Sequence, residues 1–416
     1  MVAGKHIVLG VTGSIAAYKI ASLASMLVKK KADVTVIMTP NATNFINPIT
    51  FESLTGNKCL VDTFDRNFEF QVEHVSLAKQ TDVFLVAPAS ANVIAKAAHG
   101  IADDMLTTTL LACTCPKIFA PAMNTRMYQN PIVQDNMKTL ARYGMEVISP
   151  ASGYLACGDT GEGKMPEPEV LYEYIVKALT PKDLAGKKVL VTAGPTQERI
   201  DPVRYISNHS TGKMGYAIAR QAMMRGAEVT LVSGKVNIQP PMGVRVVPVV
   251  SAADMAQAVK ESAPEQDIII KAAAVADYRP SVTADEKLKK KDDEMSIGLE
   301  RTEDILAYLG ANRREGQFLC GFSMETEHML ENSRAKLKKK NIDMIVANNL
   351  KQEGAGFGTD TNVVTFLTKD DTVELPMLSK EEVADRLLDH IVEYGRKKIR
   401  CNCEEQSSEQ LRPDNN

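Results

Sequence analysis

The residues with the most chemical promise lie between Lys187 and Gly215. A short apolar run, Val189-Leu190-Val191, stops at Gly194-Pro195 and reads as a buried strand, too brief for a helix. A polar loop with two prolines follows and closes on Ser210-Thr211-Gly212-Lys213, after which Met214, Ala217, Ile218 and Met224 recur at helical spacing. A strand, a polar loop and a helix start present unpaired N–H groups to an anion, so a phosphorylated ligand is expected. The Gly-Lys pair is not a Walker motif, because Met214 stands where Ser or Thr would hold magnesium.

Other candidates are scattered more widely. His74, in Glu73-His74-Val75, could be an acid or base, although a lone histidine is more often surface or packed core. Asn124 ends Pro121-Ala122-Met123-Asn124, where an amide could orient a carboxylate or simply form a turn. The glycine-rich stretch Ser152 to Pro166 carries Cys157 and reads either as a lid bearing a reactive thiol or as a flexible loop with an incidental cysteine. Asp277 follows the small residues Ala272, Ala273 and Ala274 at the end of a buried strand, a place for a flat base or a metal–phosphate. Lysines at 287, 289, 290 and 291, and a second run from Lys336 to Lys340, could grip a polyphosphate or be solvated surface. On a helix, Lys336 and Lys340 share one face. Cys113-Thr114-Cys115 and Cys401-Asn402-Cys403 lack both the spacing and the partners of a zinc site.

These residues need elements to position them. Strands are expected at His6–Val11, Asp33–Met38, Asp82–Ala87 and Lys117–Ala120, each followed by Ser, Thr or Asn and then a helical stretch. Such alternation predicts an open parallel sheet that binds ligands at its carboxyl edge. The first turn, Gly10-Val11-Thr12-Gly13, lacks the dinucleotide fingerprint, which favours a single phosphate. The pattern restarts near residue 187: Lys5 to Val11 resembles Lys187 to Thr192. Two tandem three-layer α/β domains are therefore expected, over 1–180 and 187–395, with 181–186 as linker. Further strands are expected at Val244–Val250, Asp267–Ala273, Phe318–Phe322 and Asp343–Ala347, then a late hairpin of Val363–Thr368 and Thr372–Leu375. Residues 396–416 read as a disordered tail.

Composition sets the outer bounds. The chain has 416 residues, 44% of them hydrophobic and 24% charged, with net charge -3. There is no basic field for nucleic acid, and no apolar run nears the roughly 18 residues that span a membrane. Seven cysteines, odd and scattered, argue against a disulfide framework. A cytoplasmic protein without a signal peptide is expected.

Taken in order, the motifs resemble the bifunctional flavoproteins of coenzyme A biosynthesis, a phosphopantothenoylcysteine decarboxylase fused to a phosphopantothenate–cysteine ligase. The first half is similar through Gly13 to Lys19, His74, Pro88 to Asn92, Pro121 to Asn124 and Ala156-Cys157-Gly158-Asp159. The second is similar through Asp201 to Asn208, Gly212 to Gly215, Ala272 to Arg279 and Glu286-Lys287. The resemblance implies a flavodoxin-like or Rossmann-like domain holding FMN near Gly13, Ser14, Thr39, Ser90 and Asn92, and a Rossmann-like ligase domain. The flavin would oxidise the cysteinyl moiety to a thioaldehyde from which carbon dioxide leaves, with His74 as base, Asn124 on the carboxylate and Cys157 as proton donor.

In the second half the resemblance implies that CTP activates 4′-phosphopantothenate as an acyl-cytidylate, which cysteine then attacks. Ala272, Ala273, Ala274, Asp277, Glu303, Asp304, Ile305, Leu306, Phe322, Lys336 and Lys340 would bind the nucleotide. Arg204 and Asn208 would serve the acyl substrate, Lys287 would stabilise charge on the cytidylate, and Asp277 would meet Mg2+. A homo-oligomer, trimer-based and reaching a dodecamer, is implied too. Three rivals are a related flavoprotein, such as a peptidyl-cysteine decarboxylase or flavin prenyltransferase, a non-catalytic binding subunit, and a second half that is merely a nucleotide-binding module, which Asn208 and Lys287 beside the phosphate-site pattern weaken. The fused second half and the presence of His74, Asn124 and Cys157 together speak against the first two.

Overall fold

The computed structural model describes residues 2–63, 73–154, 158, 160–289, 296–325, 329–349, 356 and 358–410. They divide into two compact units, Met1–Thr180 and Pro181–Asn416.

The first unit is built on β1 (His6–Val11), β2 (Asp33–Met38), β3 (Val83–Ala89), β4 (Lys117–Pro121) and the short β5 (Glu146–Val147). They form one parallel sheet in the order β2-β1-β3-β4-β5. That is the flavodoxin-like order, with its switch point between β1 and β3. Ile7, Val8, Leu9, Val83, Phe84 and Leu85 are fully buried because helices cover both faces, so these strands read as continuous apolar runs. Helix α1 (Ala17–Lys29) buries Ile20, Leu23, Ala24 and Leu27, the spacing of one helical stripe. Helix α2 (Glu73–Gln80) carries His74. Helix α3 (Ala91–His99) starts where Ser90 Oγ accepts from Val93 N–H (3.4 Å) and ends at Gly100 in the left-handed conformation.

The glycine-rich stretch is more ordered than its composition suggests. Ala151–Tyr154 and Thr160–Lys164 pair as an antiparallel ribbon, β6 and β7. Glycine supplies conformations there rather than looseness: Gly163 has φ 130°.

In the second unit the sheet contains β8 (Lys188–Ala193), β9 (Glu228–Ser233), β10 (Arg245–Pro248), β11 (Ile268–Lys271), β12 (Phe318–Glu325), β13 (Met344–Asn349), β14 (Val364–Thr368) and β15 (Thr372–Glu374). The order is β10-β9-β8-β11-β12-β13-β14-β15. The first six strands are parallel in the Rossmann order, with a switch point between β8 and β11. The last two run antiparallel as the expected hairpin. Ala272 leaves the ladder early because Ala273 N–H turns to Thr192 Oγ1 (3.1 Å) and Ala274 N–H to Gly194 O (3.0 Å).

Helix α4 (Lys213–Met224) opens at Gly212, whose φ of 79° favours glycine. It lies so close to β8 that a Cβ on Gly215 would stand 2.6 Å from Ala193 Cβ. Helix α5 (Ile305–Ala311) and helix α6 (Met329–Lys339) flank β12 and β13. The core on this side gathers Leu190, Val232, Ile269, Ile305, Leu309, Leu319 and Ile345.

Residues 181–186 pack into the second unit, with Leu184 buried. The final helix, α7 (Lys380–Gln410), runs on into the stretch expected to be a disordered tail, of which residues 411–416 lie outside the described residues. Its first turns bury Val383, Ala384, Leu387 and Leu388, and helix propagation carries the polar stretch onward. Three short antiparallel ribbons were not legible as strands: 197–199 with 205–207, 278–280 with 299–301, and 361–362 with 378–379.

Candidate active sites

In the first unit the carboxyl ends of the strands open into a cavity of about 420 Å³. Gly13, Thr39, Ser90 and Asn92, expected to meet the same ligand from three separate loops, line it together. Thr12 ties two of these loops: its Oγ1 donates to Pro88 O (2.7 Å) and accepts from Ser90 N–H (3.0 Å). Thr39 Oγ1 is buried with no hydrogen-bond partner among the described residues. An orphaned buried hydroxyl at a cavity wall suits a polar ligand. Gly13 is needed for close approach, since a Cβ would lie 2.9 Å from Asn41 Cβ. Lys96, Asp103 and Asp104 also line the cavity and were missed; the Asp-Asp pair before a helix was the available signal.

Ser14 and Asn124 line a second cavity of about 340 Å³, with Tyr18, Lys19, Tyr154 and Lys164. Asn124 caps the one-turn helix Thr125–Tyr128, its Oδ1 accepting from Arg126 N–H (2.8 Å). Lys19 meets Glu167 at 2.7 Å, and this hydrogen bond holds the Glu167 carboxyl below its usual range. The ribbon β6–β7 is fastened to this wall, with Met123 N–H donating to Gly163 O (3.1 Å). His74 is half-buried on α2 and lines neither cavity. Cys157 lies outside the described residues.

In the second unit a cavity of about 300 Å³ sits at the switch point, against the start of α4. Asn208, Ala272, Ala273, Ala274, Asp277 and Phe322 line it, six of the expected residues in one place. Asn208 Nδ2 donates to Ala274 O (3.0 Å), which fixes the amide against the small-residue loop. Asn348, Asn362 and Lys380 were missed, and only the polar ends of their strands hinted at them. Lys380 donates to Gly356 O and Thr359 O, and burial, then Lys213, hold its ammonium below the usual lysine range.

The other expected residues surround this cavity without lining it. Arg204 grips Asp201 through Nε (2.9 Å) and Nη2 and donates to Leu288 O (2.9 Å), while Leu288 N–H returns to Asp201 (3.2 Å). The loop bearing Lys287 is thus anchored to the loop bearing Arg204 and Asn208. The Arg204 hydrogen bond, and then the backbone N–H groups, hold the buried Asp201 carboxyl far below its ordinary range. Lys336 Nζ donates to Ser323 Oγ (3.4 Å), a residue of the cavity wall. Lys340 pairs with Asp304 at 3.0 Å, and Asp304 caps α5 through Ala307 N–H (3.0 Å). Burial pushes the Asp304 carboxyl up, but Ala307 N–H and Lys340 bring it below the usual range. Glu303 pairs with Lys260 at 2.6 Å, whereas Ile305 and Leu306 pack into the core.

No group of three or more metal-ligating side chains gathers among the described residues. Asp277 is exposed at the cavity, which suits a magnesium ion that arrives on a triphosphate and keeps most of its other ligands. No helix is long and apolar enough to cross a membrane among the described residues.

Comparison with known proteins covers both units. Residues 1–180 match the family model described as Flavoprotein, and residues 184–394 match the DNA/pantothenate metabolism flavoprotein C-terminal domain. The chain is 48% identical over 396 residues to the coenzyme A biosynthesis bifunctional protein CoaBC of Bacillus subtilis, covering 94% of this chain and 97% of that one. It is 45% identical over 393 residues to the protein of the same name from Vibrio parahaemolyticus, covering 94% and 98%. Among solved structures, a C-terminal domain of CoaBC is 45% identical, with a TM-score of 0.45, over 52% of this chain and 99% of that chain.

Proposed function

This chain belongs to the family of coenzyme A biosynthesis bifunctional proteins CoaBC, and we infer from that membership that it couples cysteine to 4′-phosphopantothenate and then decarboxylates the product to 4′-phosphopantetheine. One observation carries this reading: the 48% identity runs through both units, so neither activity rests on half a match.

The ligase belongs to the second unit. CTP and the substrate carboxylate form an acyl-cytidylate with release of pyrophosphate; the cysteine amine then displaces CMP to give the amide. Ala272 to Ala274 leave the sheet early and line the cavity with small side chains, which leaves room for the nucleotide. Asn208 is fixed where it can hold the acyl group, and Lys287 on its anchored loop stabilises the developing charge. Lys336 and Lys340 serve the phosphates, and Asp277 meets the magnesium ion that neutralises them.

The decarboxylase belongs to the first unit. The residues there fit FMN: Thr39 offers an unpartnered hydroxyl, Gly13 permits close approach, and Ser90 and Asn92 open a helix. When bound, FMN supplies the redox chemistry that turns the cysteinyl group into an electron sink. The imidazole of His74 takes the substrate proton, the Asn124 amide holds the departing carboxylate, and the Cys157 thiol returns a proton to the product carbon. A ribbon fastened over Asn124 keeps water from a reactive intermediate. Assembly into a trimer-based homo-oligomer belongs to the same reading; the exposed apolar side chains Ile15, Tyr18 and Ile132 on the first unit favour it.

The test is a visible spectrum of the purified protein, then a pyrophosphate assay with CTP, phosphopantothenate and magnesium. Flavin bands and CTP-dependent pyrophosphate release are expected. A colourless protein that refuses added FMN overturns the decarboxylase half. A yellow protein without pyrophosphate release overturns the ligase half.

A further inference from the structure

Lys271 is the last residue of β11 and one of the few buried lysines, only 8% exposed. Its ladder neighbours are Thr192 of β8 and Gly321 of β12, which puts it in the middle of the sheet at the carboxyl edge. Strand alternation places it on the face of Ile269, two residues earlier, and Ile269 packs with Ile305 and Leu309 of α5. Its Nζ is buried and makes no hydrogen bond among the described residues. The charged groups around it are Asp304, which caps α5, and Lys340, and these two already satisfy each other at 3.0 Å.

A buried ammonium without a partner is destabilising, and an apolar side chain of similar length would fill the same space at less expense. The position makes sense if a ligand supplies the missing acceptor. The lysine directly precedes Ala272, the first residue of the loop that lines the cavity, and Lys340 beside it is one of the residues assigned to the nucleotide phosphates.

We propose that Lys271 is a third phosphate-binding cation of the nucleotide site, acting with Lys336 and Lys340 on the triphosphate of CTP. This rests on the ligase reading above and adds a residue to it. Burial, and then the repulsion of Lys340, bring the free amine down to about 7, with Asp304 opposing the shift. Much of it is therefore neutral at mildly alkaline pH, and a polyanion at the amine draws a proton on to it. Nucleotide binding should be accompanied by proton uptake.

The experiment uses the full chain with magnesium CTP at pH 8. Calorimetry in two buffers of different ionisation enthalpy measures both the Kd and the protons taken up. Wild type should take up a fraction of a proton per nucleotide, and Lys271→Met should abolish that uptake and weaken binding by about tenfold to a hundredfold, the worth of a hydrogen bond to a charged group. The same variant, without nucleotide, should melt higher than wild type, because it removes a buried amine that must give up its proton and its hydration to fold. Unchanged affinity in the variant, or wild-type binding without proton uptake, overturns the proposal. If the variant fails to fold, the wild-type proton count alone decides. Wild type that does not bind CTP at all refutes the ligase reading itself.

Discussion

Gly163 and Met123 are locked together: the Met123 N–H donates to Gly163 O at 3.1 Å, and a Cβ built on Gly163 would stand 2.3 Å from Met123 O. Only glycine lets the ribbon settle on the strand end that presents Asn124. Gly163→Ala should therefore lift the ribbon and misplace the amide. We expect decarboxylation to fall by about a hundredfold, the usual effect of an ångström-scale misplacement. Flavin content and ligation should be unchanged. A variant with normal decarboxylation would show that the ribbon is not part of the site.

The two activities should separate by mutation, because their residues fall in different units. Cys157→Ser should stop the first unit after carbon dioxide loss while pyrophosphate release continues. Asn208→Ala or Lys287→Ala should slow ligation by about a hundredfold, as removal of one charge-stabilising group does, and leave decarboxylation of supplied 4′-phosphopantothenoylcysteine intact. Loss of ligation in Cys157→Ser would refute the separation.

Arg204 acts through Asp201 as well as in its own right. Asp201→Asn keeps the shape but gives up the charge-assisted pair, so the clamp on Leu288 loosens and Lys287 wanders. Ligation should drop by about tenfold, and Arg204→Lys should not rescue it, since an ammonium cannot make the same forked contact. Full ligase rates in Asp201→Asn would remove the clamp from the mechanism.

Arg225 holds the second unit's first and last segments together. Its guanidinium, 5% exposed, meets Asp183, Asp385 and Asp389. Arg225→Ala should cost about 3 kcal/mol, the lower end for breaking a buried pair, because the carboxylates are partly exposed. The hydrogen bond from Arg225 holds the Asp183 carboxyl below its ordinary range. A depressed carboxylate stabilises above its unfolded pKa, about 3.9, and that contribution is lost as pH falls through the folded value. The stability gap between wild type and Arg225→Ala should therefore narrow in acid, as urea melts across pH 3 to 7 would show.

Much of this was legible in the sequence. Apolar runs such as Ile7 to Val11 and Val189 to Val191 announced their strands, because a parallel sheet buries both faces. The cavity-lining residues were legible where the cavities open at strand ends, as with Thr39, Ser90 and Ala272 to Ala274. Lys380 and Asn362 were not, since they reach their cavity through pairings distant in sequence. The last helix was not legible in its full length for another reason: Arg396 to Gln410 has no apolar stripe, and it continues a helix whose earlier turns are held by Val383, Leu387 and Leu388.

The antiparallel pair β14 and β15 has a bearing on solubility. Parallel β13 would otherwise end the sheet with a row of unsatisfied N–H and C=O groups, and β14 covers that row from Asn348 to Met344. An uncovered edge is a template for other chains. A truncation that stops short of Val364 therefore removes more than the fully buried Leu367; it leaves a sheet that recruits its own copies, and precipitates.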